Sequence, residues 1–319
     1  MITAMPPVMP PARESFSFPV RRKRRPVLHA AFLQIVFSGA LLHGADVAGA
    51  AEVSVVYVNA TDGFSSDSPA DPNSTAPGNT LGQQRKASME AAAEEWGARL
   101  ESNIPITLDV QMVAMSCNAS SAVLGGASVR TVARDWSPAA GGVDAPHAST
   151  WYPAALANRL ANTDLAPSTS DVQAAFNESI DNNDACLSGA NWYYGVGPEE
   201  GPSGTISFYR VVLHEIAHGV GFSSLVDKST GAPFLDLMDS YSRNLADADS
   251  GLGWEAMSDQ QRAASVVDSG NLVWSGAAVT AASGILTSGL TDGKVRMYAP
   301  DPVRSGSSVS HFDLSLIHI

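Results

Sequence analysis

Residues 52–58 alternate apolar and polar positions at their start, the period of a strand with one buried face. Past residue 83 the period changes. Met89, Ala92, Ala93, Trp96 and Leu100 recur at helical spacing and predict an amphipathic helix ending near Ser102 and Asn103. Residues 104–113 alternate again and predict a second strand. Short strands are expected within 121–134, a helix over 152–161 and another short helix over 171–180. Residues 60–82 and 135–150, rich in Asp, Ser, Pro and Gly, read as loops, and 181–184 as a turn. Residues 225–310 are rich in Ser, Gly and Asp, with short apolar patches at 272–274 and 295–298. They read as a long excursion with little regular structure beyond one helix at 256–267. Strands and helices mixed in this way predict an α/β or α+β layer, and α+β is the fold class adopted with the resemblance given below.

Before the first strand lies a different kind of segment. Arg21, Arg22, Lys23, Arg24 and Arg25 precede an apolar run from Val27 to about Leu42, and small residues cluster at Ala48, Gly49, Ala50 and Ala51. A basic region, an apolar run and a small-residue site are the parts of a secretory signal peptide, with cleavage near Ala50. The run is about 16 residues, short of the roughly 20 of a spanning helix. No stable membrane anchor is therefore expected after cleavage, and the chain is expected to be secreted. The domain reading is a signal peptide at 1–50, an N-terminal subdomain at 51–222 and a C-terminal subdomain at 223–319.

Hydrophobic residues make up 45% of the chain and charged residues 16%, enough apolar content to bury a core and to exclude wholesale disorder. Lys and Arg number 19 against 32 Asp and Glu, a net charge of −13. Six of the basic residues stand in the first 50 positions, so the body is more acidic still. That balance argues against nucleic acid as a partner, because phosphate binding needs a basic face. The two cysteines, Cys117 and Cys186, are expected to form one disulfide in an oxidising compartment.

One motif carries chemistry. Residues 206–222 contain His214-Glu215-Ile-Ala-His218, followed by Gly219 and Gly221. Residues four apart share one helix face, so both imidazoles can reach one zinc ion, with Glu215 placed to take a proton from its water. Gly219 and Gly221 would end the helix. A third protein ligand is required. The best-known continuation, H-E-x-x-H-x-x-G-x-x-H, has a histidine where this chain has Ser224, and a hydroxyl is a poor zinc ligand. Past His218 the candidates are His311, His318 and Glu255. Glu255 stands four residues before Asp259, a spacing suited to a ligand and its supporting carboxylate. His318 is one residue from the chain end, where a terminus positions a ligand badly.

The stretch His214-Glu-Ile-Ala-His218-Gly-Val-Gly221-Phe222-Ser223 resembles the leishmanolysin-like branch of the metzincin zinc peptidases. In that branch a long insertion follows and the third histidine arrives in a Ser-His-aromatic segment, which Ser310-His311-Phe312 resembles. The flank from Cys186 through Trp192, Tyr193 and Tyr194 is similar to that of bacterial secreted relatives, and the resemblance extends over most of residues 52–313. It implies a metzincin-like fold: a mixed sheet, a backing helix and an active-site helix, then a long irregular C-terminal subdomain. It implies one zinc per chain on His214, His218 and His311, Glu215 as general base, and a protein or peptide substrate. One feature departs from the pattern. The family's methionine turn, L-M-x-P, does not follow His311; Met297 precedes it, and residues 314–319 read as a premature end.

Other residues have modest readings. Trp192, Tyr193 and Tyr194 are expected in core packing, with a substrate cleft as the alternative. Asp236 and Asp239 are expected to be solvated or capping groups. The alternative function is a catalytically inactive secreted binding or adhesion protein that keeps the zinc helix. The sequence sets no oligomeric state.

Overall fold

The computed structural model describes residues 1–4 and 49–313. The apolar run and basic cluster of the expected signal peptide, and His318, lie outside the described residues. Contacts divide the chain into two compact units. One takes the described residues up to 145 together with 153–221. The other takes 146–152 and the residues from 222 onward.

The first unit is built on a mixed four-stranded sheet: β1 (Val53–Tyr57), β2 (Ile106–Val113), β3 (Gly125–Val129) and β4 (Val172–Asn177), in the order β1-β2-β4-β3. β1 and β4 run parallel to β2, pairing Val53 with Ile106 and Leu108 with Val172. β3 closes one edge antiparallel to β4. Along β2 the alternation works as expected: Ile106, Leu108, Val110 and Met112 are buried and the residues between them half-buried.

Helix α1 (Leu81–Arg99) begins at a reciprocal cap. The Thr80 hydroxyl accepts from the Gln83 N–H while the Gln83 side chain accepts from the Thr80 N–H. Its buried stripe is Met89, Ala92, Ala93 and Trp96. α2 (Ala154–Ala161) follows, and α3 (Phe208–Gly219) packs on α1. The Trp96 indole N–H donates to the Leu213 carbonyl at 2.9 Å and ties the two helices. Around Phe208 the rings of Phe176, Trp192 and Tyr194 stand edge-on at 5.0, 5.3 and 5.4 Å, the geometry aromatic pairs prefer. Cys117 and Cys186 form the expected disulfide, their Cα atoms 5.3 Å apart.

Residues 171–180 correct the sequence reading. They form strand β4 and a 3-10 turn at Glu178–Ile180, not a helix. β4 lies between β2 and β3, and Val172, Ala174 and Phe176 are buried. Packing on both sides overrides the helix preference of its two alanines.

The second unit is a correction of larger scale. It contains a five-stranded antiparallel sheet: β5 (Leu245–Asp247), β6 (Leu252–Gly253), β7 (Leu272–Trp274), β8 (Leu290–Thr291) and β9 (Lys294–Arg296), in the order β6-β5-β7-β9-β8. Helices α4 (Asp259–Ser265) and α5 (Ala277–Ala282) accompany it. Strands of two or three residues between Ser-, Gly- and Asp-rich turns are too short to show a period. Their core gathers Tyr241, Leu245, Trp254, Leu272, Trp274, Val295 and Met297, with Phe222 stacked on Trp274 at 5.8 Å.

The chain is thus α+β. No helix among the described residues is long and apolar enough to cross a membrane.

Candidate metal centre

α3 starts where the Ser207 hydroxyl accepts from the Arg210 N–H at 3.4 Å. Phe208, Val212 and Ile216 recur at helical spacing and are fully buried. That anchored face decides where the histidines point. The imidazoles of His214 and His218 meet with ring centroids 4.7 Å apart and planes at 88°. Their Nε2 atoms converge to 3.1 Å.

Two nitrogens bound tetrahedrally at about 2.0–2.1 Å to one zinc ion stand roughly 3.3 Å apart. The pair therefore fits a zinc ion with a shift of a few tenths of an ångström, and two neutral imidazoles are ligands of the right softness. His214 is exposed, yet closely walled by protein. That desolvation, followed by the neighbouring His218, lowers its pKa to about 3. The ring is neutral at working pH, with an accessible edge.

Glu215 is buried, about 100° round the helix from His214. The end of α3 is fixed by two glycines. A Cβ on Gly219 would lie 2.2 Å from Val172 Cγ1, so the helix closes on β4 only because that position has no side chain. Gly221 follows at φ +120°, where a Cβ would strike Pro153 Cγ at 2.5 Å. The helix stops at Gly219, as the two glycines predict.

His311 lies in the second unit. Its Nδ1 donates to the Ser307 carbonyl at 2.9 Å. A carbonyl can only accept, so Nδ1 carries a proton; in the neutral ring that leaves the lone pair on Nε2, the tautomer a metal-binding imidazole requires. Glu255, the rival third ligand, is exposed on the 3-10 turn Trp254–Ala256, where its carboxylate accepts from Arg243 at 2.5 Å.

Trp192, Tyr193 and Tyr194 are buried at 1%, 3% and 0% exposure, which places them in the core of the first unit and rules out an open cleft there. Asp236 is exposed. Asp239 takes the capping alternative: it is buried and caps a turn, accepting from the Ser242 N–H at 2.7 Å, the Ser242 hydroxyl at 2.7 Å and the Leu225 N–H at 3.0 Å. Ser224, Ser242 and Ser310 join Asp239 in one hydrogen-bonded chain, an arrangement that the sequence motifs do not reveal. The Asp-x-x-Ser spacing of 239 and 242 was the available signal, since it is a common capping pattern.

The SPBPB7E8-like family model matches residues 72–246, more than half of the chain, and the chain belongs to that family. The matched span includes His214, Glu215 and His218 and ends before His311. No curated protein and no solved structure matches the chain.

Proposed function

We propose that the protein is a secreted zinc-dependent metalloendopeptidase of the leishmanolysin-like, metzincin kind, with His214, His218 and His311 as ligands and Glu215 as general base. One observation carries the reading: two imidazoles converge to 3.1 Å on the face of a helix where the first is followed by a buried glutamate. A purely structural helix has no use for that combination. His311, in the second unit, is the third ligand that the Ser-His-aromatic resemblance implies. The disulfide supports an oxidising, extracellular setting.

When bound, zinc supplies Lewis acidity, bringing the pKa of a water toward about 7 and favouring charge on a carbonyl oxygen. Glu215 accepts the water's proton on its carboxylate as the oxygen attacks the peptide carbonyl carbon. It then delivers that proton to the departing amine nitrogen. His214 and His218 are aimed by α3, and His311 by its bond to the Ser307 carbonyl.

Elemental analysis after dialysis against a weak chelator should find about one zinc per chain. Glu215→Gln should keep that zinc and lower cleavage of a quenched-fluorescence peptide by about 10²–10⁴-fold. Substantial residual turnover in that variant would sink the assignment. A chain that retains no zinc would favour the binding or adhesion protein.

A further inference from the structure

We infer that Ser310 is the positioning residue for His311, and that it is held in place by a relay of Ser224, Ser242 and Asp239. The inference rests on the zinc reading above. The relay lies within the second unit and begins at the buried Asp239 carboxylate. Asp239 takes the N–H and hydroxyl of Ser242 and the N–H of Leu225. The Ser242 and Ser224 hydroxyls are 2.7 Å apart. The Ser224 N–H then donates to the Ser310 hydroxyl at 3.2 Å. Ser242 and Ser310 are 0% and 3% exposed and Ser224 is half-buried, so the relay is largely shielded from water.

The segment it grips is under backbone strain. Val309 adopts φ +74° and is fully buried. A β-branched residue stays in the left-handed region only where its surroundings over-determine it. Here they do. The Val309 N–H donates to the Tyr298 carbonyl at 2.7 Å, and the Tyr241 hydroxyl donates to the Val309 carbonyl at 2.8 Å. The Tyr298 N–H donates to the His311 carbonyl at 2.8 Å. These bonds fix the backbone on either side of residue 310. The Ser224–Ser310 bond is the link between this segment and the chain that leaves α3. Ser224 is the position that carries the ligand in the shorter H-E-x-x-H-x-x-G-x-x-H spacing. In this chain it holds the neighbour of the ligand instead.

The test is the zinc dissociation constant of the full chain, read by competition with a chromophoric chelator, beside the melting temperature of the zinc-free chain. Ser310→Ala should weaken zinc binding about 10–100-fold, the usual cost of losing a group that orients a ligand. Its zinc-free melting temperature should stay within about 3 °C of wild type. Ser310→Thr, which restores a hydroxyl, should return the affinity to within about threefold. Ser242→Ala should weaken binding from the far end of the relay, and decides the matter if Ser310→Ala does not fold. Wild-type affinity in both alanine variants would overturn the inference while leaving the zinc reading intact. An affinity loss matched by lost zinc-free stability would reduce Ser310 to a packing residue and also overturn it. A wild-type chain that binds no zinc would overturn both.

Discussion

His214 and His311 are held by different physics. His214 stands on a regular helix, and its partner His218 is found one turn away because 3.6 residues make a turn. Nothing beyond the helix and its buried face is needed to aim the pair. His311 stands in an irregular segment, where no period supplies geometry. Single hydrogen bonds from Ser224, Tyr241 and Tyr298 hold its segment around one strained valine, and the Ser307 carbonyl holds its ring. A site on periodic structure resists the loss of any one polar contact and fails when packing fails. A site on irregular structure does the opposite.

The largest expected effect attacks the periodic side. Trp96→Ala removes a side chain 1% exposed and its bond to Leu213, the tie between α1 and α3. Denaturant unfolding should show a loss of about 3–5 kcal/mol. A loss below about 1 kcal/mol would mean that α3 is not held from behind in this way.

The next effect compares the two units through their buried carboxylates. Asp171 accepts from Thr107 N–H and Asn158 Nδ2, yet burial raises its pKa to about 6. Its folded pKa is above its unfolded value, so the folded state favours the proton. Stability from this group is present below about pH 4 and lost as pH rises through about 6, on the order of 3 kcal/mol at most. Asp171→Asn should flatten the slope of unfolding free energy between pH 4 and 6. Burial also raises the Asp239 pKa, so the second unit adds a slope of the same sign that this variant leaves in place. An unchanged slope would assign the whole effect to the second unit.

The smallest expected effect is Glu255→Ala. The side chain is 55% exposed and pairs with Arg243 at the surface, so stability should change by less than about 1 kcal/mol. Zinc content should not change at all. A loss of zinc in this variant would exchange the roles assigned to Glu255 and His311.

The difference between the units also explains what the sequence reveals. α1, α3, β1 and β2 are legible because each repeats its pattern long enough to be seen: Met89, Ala92, Ala93 and Trp96 on one helix, Ile106 to Met112 along one strand. β4 is not, since Val172, Ala175 and Phe176 also satisfy helical spacing, and its place between β2 and β3 is set by distant residues. The second sheet is beyond local reading. Leu245 pairs with Trp274, and Val273 with Arg296, across chain that carries no period. Of the candidate site, the His214-Glu215-His218 stretch is explicit in the letters, whereas the relay through Ser224 and Asp239 exists only once residues far apart in sequence meet.

The Cys117–Cys186 bond spans a sequence separation of 69 residues, and the chain it encloses includes the irregular stretch 137–150. A cut anywhere in that stretch leaves both pieces covalently joined. Nicked molecules would migrate as intact protein on a non-reducing gel and fall into two fragments only after reduction. On the peptidase reading proposed above, such a bond converts a chain severed by proteolysis into a nicked but covalently joined one.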